Sequence, residues 1–138
     1  MAPGFFTGKG ELTIEVNGIK AITGQLLVSV YNSESSWLNT DSAFRKVMVS
    51  VTNDMEEIVL EKLPEGDYAI ALFQDLNGNE ALDQTELKIP REPFGFSNNP
   101  KGLRGPASFS QAMFHFDGEQ TLTINLVNNL FTPNKVKE

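Results

Sequence analysis

Short apolar runs that alternate at every second residue, each closed by turn formers, constrain this chain more than any other feature. Leu12, Ile14 and Val16 alternate with Thr13 and Glu15, and Val47, Val49 and Val51 alternate with Met48 and Ser50. A strand turns successive side chains to opposite faces, so this period sets one face on a core and the other in water. Leu26-Leu27-Val28-Ser29-Val30-Tyr31 and Tyr68-Ala69-Ile70-Ala71-Leu72-Phe73 are more continuously apolar and read as more deeply buried strands. Ile58 and Leu60, then Ala112 to Phe116, then Leu122, Ile124 and Leu126 complete the set, and Pro64-Glu65-Gly66 is a turn. About seven such strands predict an all-β fold, a single antiparallel β-sandwich. Only Ser35 to Arg45 looks helical, for a turn or two, with Asp41 as its cap ahead of Phe44. The chain carries no internal repeat and no linker, so residues 1–138 form one domain, with residues 1–9 and 132–138 expected to fray.

The 138 residues suffice for one domain with a real core, and 40% of them are hydrophobic. A net charge of −7 argues against nucleic acid, whose phosphates demand Lys and Arg, and is compatible with cation binding. No apolar run reaches the length of a membrane helix, so the chain is not expected to span a membrane. Met1 to Gly10 lacks the basic start and apolar centre of a secretory leader, so an exported form is expected to have lost one. Zero cysteines exclude disulfides, a thiolate nucleophile and a Cys zinc site.

The stretch Asp75-Leu76-Asn77-Gly78-Asn79-Glu80-Ala81-Leu82-Asp83 leaves a strand and presents oxygens at alternate residues. Ca²⁺ takes six to eight oxygens from carboxylates, amides and carbonyls, and alternate spacing lets a short loop curl round one ion. Against the EF-hand pattern, Asp75, Asn77 and Asn79 fall at the first, third and fifth positions, Ala81 offers its carbonyl at the seventh, Asp83 falls ninth and Glu86 twelfth. The sixth position carries Glu80 instead of Gly, and Pro90 rules against a second helix. The residue types also suit an Asn-Gly turn with solvated acids. The expectation is a Ca²⁺ loop of weak affinity, since two Asn replace Asp and lower the ligand charge.

The segment from Lys88 to Ser110 breaks the strand pattern with four prolines and three glycines. Loops this long inside a domain tend to be functional or disordered, and Phe94, Phe96, Leu103 and Phe109 argue for order. Phe94 and Phe96 either plug one end of the sandwich or line a ligand surface, and plugging is the commoner use of such residues. Lys88, Arg91, Lys101 and Arg104 recognise an anionic ligand or pair with Glu86, Glu92 and the acidic loop. Trp37, among polar residues, either stacks on a sugar or partner, or caps the sandwich with Leu38 and Phe44. Trp37, Phe94, Phe96, Arg91 and Arg104 form the candidate ligand surface.

The run Gly66-Asp67-Tyr68-Ala69-Ile70-Ala71-Leu72-Phe73-Gln74-Asp75-Leu76-Asn77-Gly78-Asn79, followed by Leu82-Asp83 and by Ile89-Pro90-Arg91-Glu92-Pro93-Phe94-Gly95-Phe96-Ser97-Asn98-Asn99, resembles domain of unknown function family 2141. The likeness extends through Gly105-Pro106-Ala107-Ser108-Phe109 and, upstream, Leu27 to Asn32 and Phe44-Arg45-Lys46. That family usually has His where Gln74 stands and Gly where Glu80 stands, so this chain departs from it just before and within the candidate metal loop. The resemblance implies a bacterial, exported β-sandwich similar to prealbumin-like and carboxypeptidase-regulatory-like modules, periplasmic or extracellular, with no established reaction.

His115 is the only histidine and shares a strand face with Met113, opposite Phe114 and Phe116. Ser108, Ser110 and Asp117 lie near it, but no sequence signal supplies a strained nucleophile turn or an oxyanion hole. Glu56 and Glu57 read as a strand starting in solvent, charged against edge pairing. The functional expectation is a non-catalytic binding or accessory module of the cell envelope that recognises a glycan, peptide or envelope protein. A small hydrolase or ligand-carrying enzyme using His115 with nearby acids, and a purely structural domain, are the alternatives.

Overall fold

The computed structural model describes residues 9–76, 92–101 and 106–127. Among them run β1 (Lys9–Asn17), β2 (Gln25–Tyr31), β3 (Arg45–Ser50), β4 (Glu56–Pro64) and β5 (Gly66–Asp75), then β6 (Phe94–Phe96), α1 (Phe109–Ala112), β7 (Phe114–Phe116) and β8 (Glu119–Asn125). One sheet has the order β4-β1-β8. The other has the order β3-β2-β5-β6, and β7 joins β5 end to end with β6. The all-β sandwich expected from the alternation is therefore what the chain builds.

The core between the sheets follows the period-two pattern. Leu12, Ile14 and Val16 of β1 are fully buried and meet Leu26, Val28 and Val30 of β2 and Ile70 of β5 in one cluster with Phe116 and Ile124. β3 alternates half-buried Arg45, Val47 and Val49 with exposed Lys46, Met48 and Ser50. A second apolar layer lies on the outer face of the larger sheet. Ala69, Phe94, Phe96, Ala107 and Ala112 are its buried members, with Trp37, Phe73, Phe109 and Val127 packed against them.

Four details depart from the expected strands. β1 and β8 pair in parallel, so the sandwich is not wholly antiparallel. The cause lies at the turn into β8, where Gly118 takes φ 126 and its carbonyl accepts from the Glu11 N–H. Gly10 stands so close to Gly118 that a Cβ there would overlap the Gly118 carbonyl. The chain thus enters the smaller sheet beside the start of β1 and runs along it. Secondly, β6 is a strand inside the segment read as a loop, so the described strands number eight. Gly95 faces the core there, where an added Cβ would lie 2.6 Å from the Ile124 side chain. Thirdly, Ala112 ends a helical turn instead of opening a strand. Ser108 caps that turn by accepting from Gln111 N, and Gln111 returns a side-chain bond to Ser108 N. Lastly, the helical stretch expected over Ser35 to Arg45 is present as two single 3₁₀ turns, Glu34–Ser36 and Thr40–Ser42, but its cap differs. The second is capped by Asn39 rather than Asp41, because the Asn39 side chain accepts from Asp41 N.

Candidate functional site

Asp75 closes β5, and the chain then runs on to Glu92 through residues 77–91, which lie outside the described residues. The two ends are tied together. Gln74 N donates to Pro93 O at 2.8 Å, and Leu76 N donates to Glu92 Oε2 at 2.8 Å. Asp75 is 1% exposed and Glu92 6%, so two carboxylates are buried at the base of this excursion. Sequence reasoning chose Asp75 but treated Glu92 as a partner for basic residues, and no spacing signal marks Glu92 as an acceptor for Leu76. The other candidate ligands, Asn77, Asn79, Ala81, Asp83 and Glu86, lie outside the described residues, as do Arg91 and Arg104. Among the described residues no group of three or more acids or histidines is placed to hold an ion.

Gln74 precedes Asp75 and points to the opposite face of β5. It is fully buried, and its Nε2 donates to Ala21 O and Thr23 O, pinning the β1–β2 connection to the second sheet. Its Oε1 is buried with no hydrogen-bond partner among the described residues. The amide is therefore oriented by two carbonyls, a task that needs two donors on one nitrogen.

The Ser97-Asn98-Asn99 run, part of the strongest stretch of family likeness, forms a polar tie. Ser97 Oγ accepts from Ile70 N and donates to Ala112 O, joining β5 to α1. Asn98 Nδ2 donates to Gln111 O and Met113 O. Asn99 Nδ2 donates to Thr123 O while its Oδ1 accepts from Asn125 N, which fastens the edge of β8 in the other sheet. Asn98 and Asn99 both adopt left-handed backbone (φ 70 and 47), a region Asn tolerates better than most residues. Each of these side chains bonds to backbone, so the run holds elements together.

The aromatic candidates serve packing. Phe94 is 4% exposed and Phe96 8%, and both belong to the outer apolar layer instead of an open ligand surface. Trp37 is half-buried, meets Tyr31 edge-on at 5.1 Å and Phe109 at 5.9 Å, and donates its indole N–H to Ala107 O. Its polar handle is thus used inside the protein, and it packs in the outer apolar layer instead of capping the end of the sandwich with Leu38 and Phe44, which are exposed.

His115 is exposed and stands opposite Asp67 in the β5–β7 ladder. Its Nδ1 lies 2.8 Å from Asp67 Oδ1 and its Nε2 3.5 Å from Glu65 Oε2. The Asp67 hydrogen bond, with a further contribution from Glu65, raises the imidazole above the ordinary histidine value. The serines considered as its partners are engaged elsewhere: Ser108 caps α1 and bonds Ser110. Glu56 likewise accepts from Thr52 N and Asn53 N, so it closes the β3–β4 turn.

Fold and site together define a small β-sandwich whose polar side chains chiefly tie backbone to backbone, with two buried acids at the root of one excursion. The chain belongs to the family described as an uncharacterized protein conserved in bacteria (DUF2141), which it matches over residues 14–125. No curated protein and no solved structure matches it.

Proposed function

We propose that this chain is a non-catalytic binding or accessory module of the bacterial cell envelope, periplasmic or extracellular, carrying a Ca²⁺-type loop between β5 and β6. The observation that supports it is the pair of buried carboxylates, Asp75 and Glu92, at the two ends of that excursion. Burying carboxylates is costly unless donors or a cation compensate them; Glu92 accepts from Leu76 N, and a cation would add to such compensation. The intervening sequence adds Asn77, Asn79, Asp83 and Glu86, an all-oxygen set that suits a hard cation. Family membership supports the bacterial source, and the net charge of −7 suits cation binding. Ser108 and Ser110, the serines near His115 in sequence, bond each other and Ser108 caps α1, which supports a non-catalytic reading. The module's partner is a glycan, a peptide or another envelope protein.

Thermal unfolding of chelator-treated protein, titrated with Ca²⁺ and separately with Mg²⁺, tests the loop. A binding site that stabilises only the folded state raises Tm with ligand concentration. The expected result is a Ca²⁺-selective rise, half-complete in the range of roughly 10⁻⁴–10⁻³ M typical of extracellular modules. Asp75→Asn should abolish most of it. An unchanged Tm at millimolar Ca²⁺, or equal shifts in both proteins, would overturn the ion site.

A further inference from the structure

The two sheets end in four edges, and three of them are protected. β4 carries Glu57, Glu61 and Lys62, the last in left-handed backbone (φ 59), and Arg45 donates to the Glu61 and Lys62 carbonyls. β8 is fastened by the Asn99 side chain. β6 exchanges two backbone hydrogen bonds with Val127. Charges, kinks and covering groups of this kind are how sheets avoid pairing with other chains. β3 carries two charges, Arg45 at its start, whose guanidinium is spent on the β4 carbonyls, and Lys46, and among the described residues it pairs only with β2.

The register says which groups β3 leaves open. Val51 N donates to Gly24 O, in step with the β2–β3 ladder. Backbone groups in an antiparallel ladder turn to opposite sides at alternate residues. Val49 and Val47 therefore face β2, and Lys46, Met48 and Ser50 present both N–H and C=O to the open side. On the sheet's outer face, Met48, Leu27 and Phe73 stand in one cross-strand row. With Ser29, Thr40 and Lys46 they line an open groove of about 280 Å³ that runs to this edge.

We propose that β3 pairs antiparallel with β3 of a second copy of this chain, about a two-fold axis through Met48. This reading goes beyond the envelope role proposed above and does not depend on the loop. A two-fold contact is self-complementary, so each residue must meet an acceptable one on the same face. Centred on Met48, the pairing sets Met48 against Met48, Lys46 against Ser50 and Val47 against Val49. No like charges meet, and all three outward residues bond across the axis. Centring on Val47 would call on Phe44 N, which already donates to Val30 O. A slip of one residue would set outward side chains against inward ones. In the Met48 register the apolar row Phe73–Leu27–Met48 continues without a break into the second copy, and the two grooves join.

The chain has no cysteine, so a single introduced thiol reports on the axis directly. Directly opposed, hydrogen-bonded residues stand about 5.5 Å apart at Cα, within disulfide range. Met48 is 52% exposed, so Met48→Cys leaves the core untouched. Mild oxidation of Met48→Cys should give a covalent dimer, and Lys46→Cys should not, because two copies of residue 46 are offset by roughly 13 Å along the strands. Sedimentation equilibrium of the unaltered chain should show monomer and dimer in exchange. Met48→Asp, which sets two carboxylates face to face, should shift it to monomer. A chain monomeric at every concentration, equal cross-linking of both thiol variants, or a dimer indifferent to Met48→Asp would overturn the proposal.

Discussion

The two faces of β5 are held by different physics. On the inner face Tyr68, Ile70 and Leu72 enter a largely aliphatic core with Leu12, Ile14 and Ile124, where burial is non-directional and roughly proportional to area. On the outer face Ala69 and Ala71 are small, and what covers them is secured by named hydrogen bonds from Ser97, Asn98 and the Trp37 indole. The inner face resists through volume, so similar apolar shapes can replace one another there. The outer layer resists through a few directional bonds, and loss of one leaves a buried backbone group without its partner.

That contrast is open to measurement. The largest effect should come from the inner face. Phe116, fully buried where β7 meets the core, should cost about 3–5 kcal/mol as Phe116→Ala in denaturant unfolding. A cost near that of an exposed site would mean the core does not close on β7. On the outer face Ser97→Ala should cost roughly 1–3 kcal/mol despite removing a single oxygen, because Ile70 N and Ala112 O both lose their partner. A negligible loss would erase the distinction between the faces. The smallest effect belongs to His115, outside both layers. Its folded-state value is raised, so its contribution is fully present below the unfolded value of about 6.5 and fades as pH rises through the higher folded value. Tm of the unaltered chain should fall slightly across that window relative to His115→Gln, and parallel pH profiles would remove the Asp67–His115 clasp from any role in holding β7.

The inner face was legible because its signal is local: Leu12, Ile14 and Val16 announce their face by spacing alone. The opposite faces of His115 and Phe116 were legible for the same reason. The outer layer was not. Phe94-Gly95-Phe96 spans three residues behind a proline, too short to show a period, and it becomes a strand only because Ala71 and Phe73 offer it an edge. Ser97, Asn98 and Asn99 are ordinary turn residues until their distant backbone partners are known. The parallel direction of β8 depends on a Gly10–Gly118 approach between residues far apart in the chain. At the candidate site, Asp75 stood out by residue type within a spaced oxygen pattern. The burial of Glu92 arises from pairing across an excursion and leaves no local trace.

The parallel seam also bears on time. β1 is synthesised before every other described strand, yet its neighbour on one side is β8, about a hundred residues further along the chain. Contacts between residues so distant carry a large loop-closure cost before they return anything, and folding slows accordingly. Until Glu119–Asn125 has emerged, β1 can hold only β4, and Leu12, Ile14 and Val16 lack the neighbour that carries Ile124. The sandwich is therefore a fold that closes late, along a line joining the first and the last of its described strands.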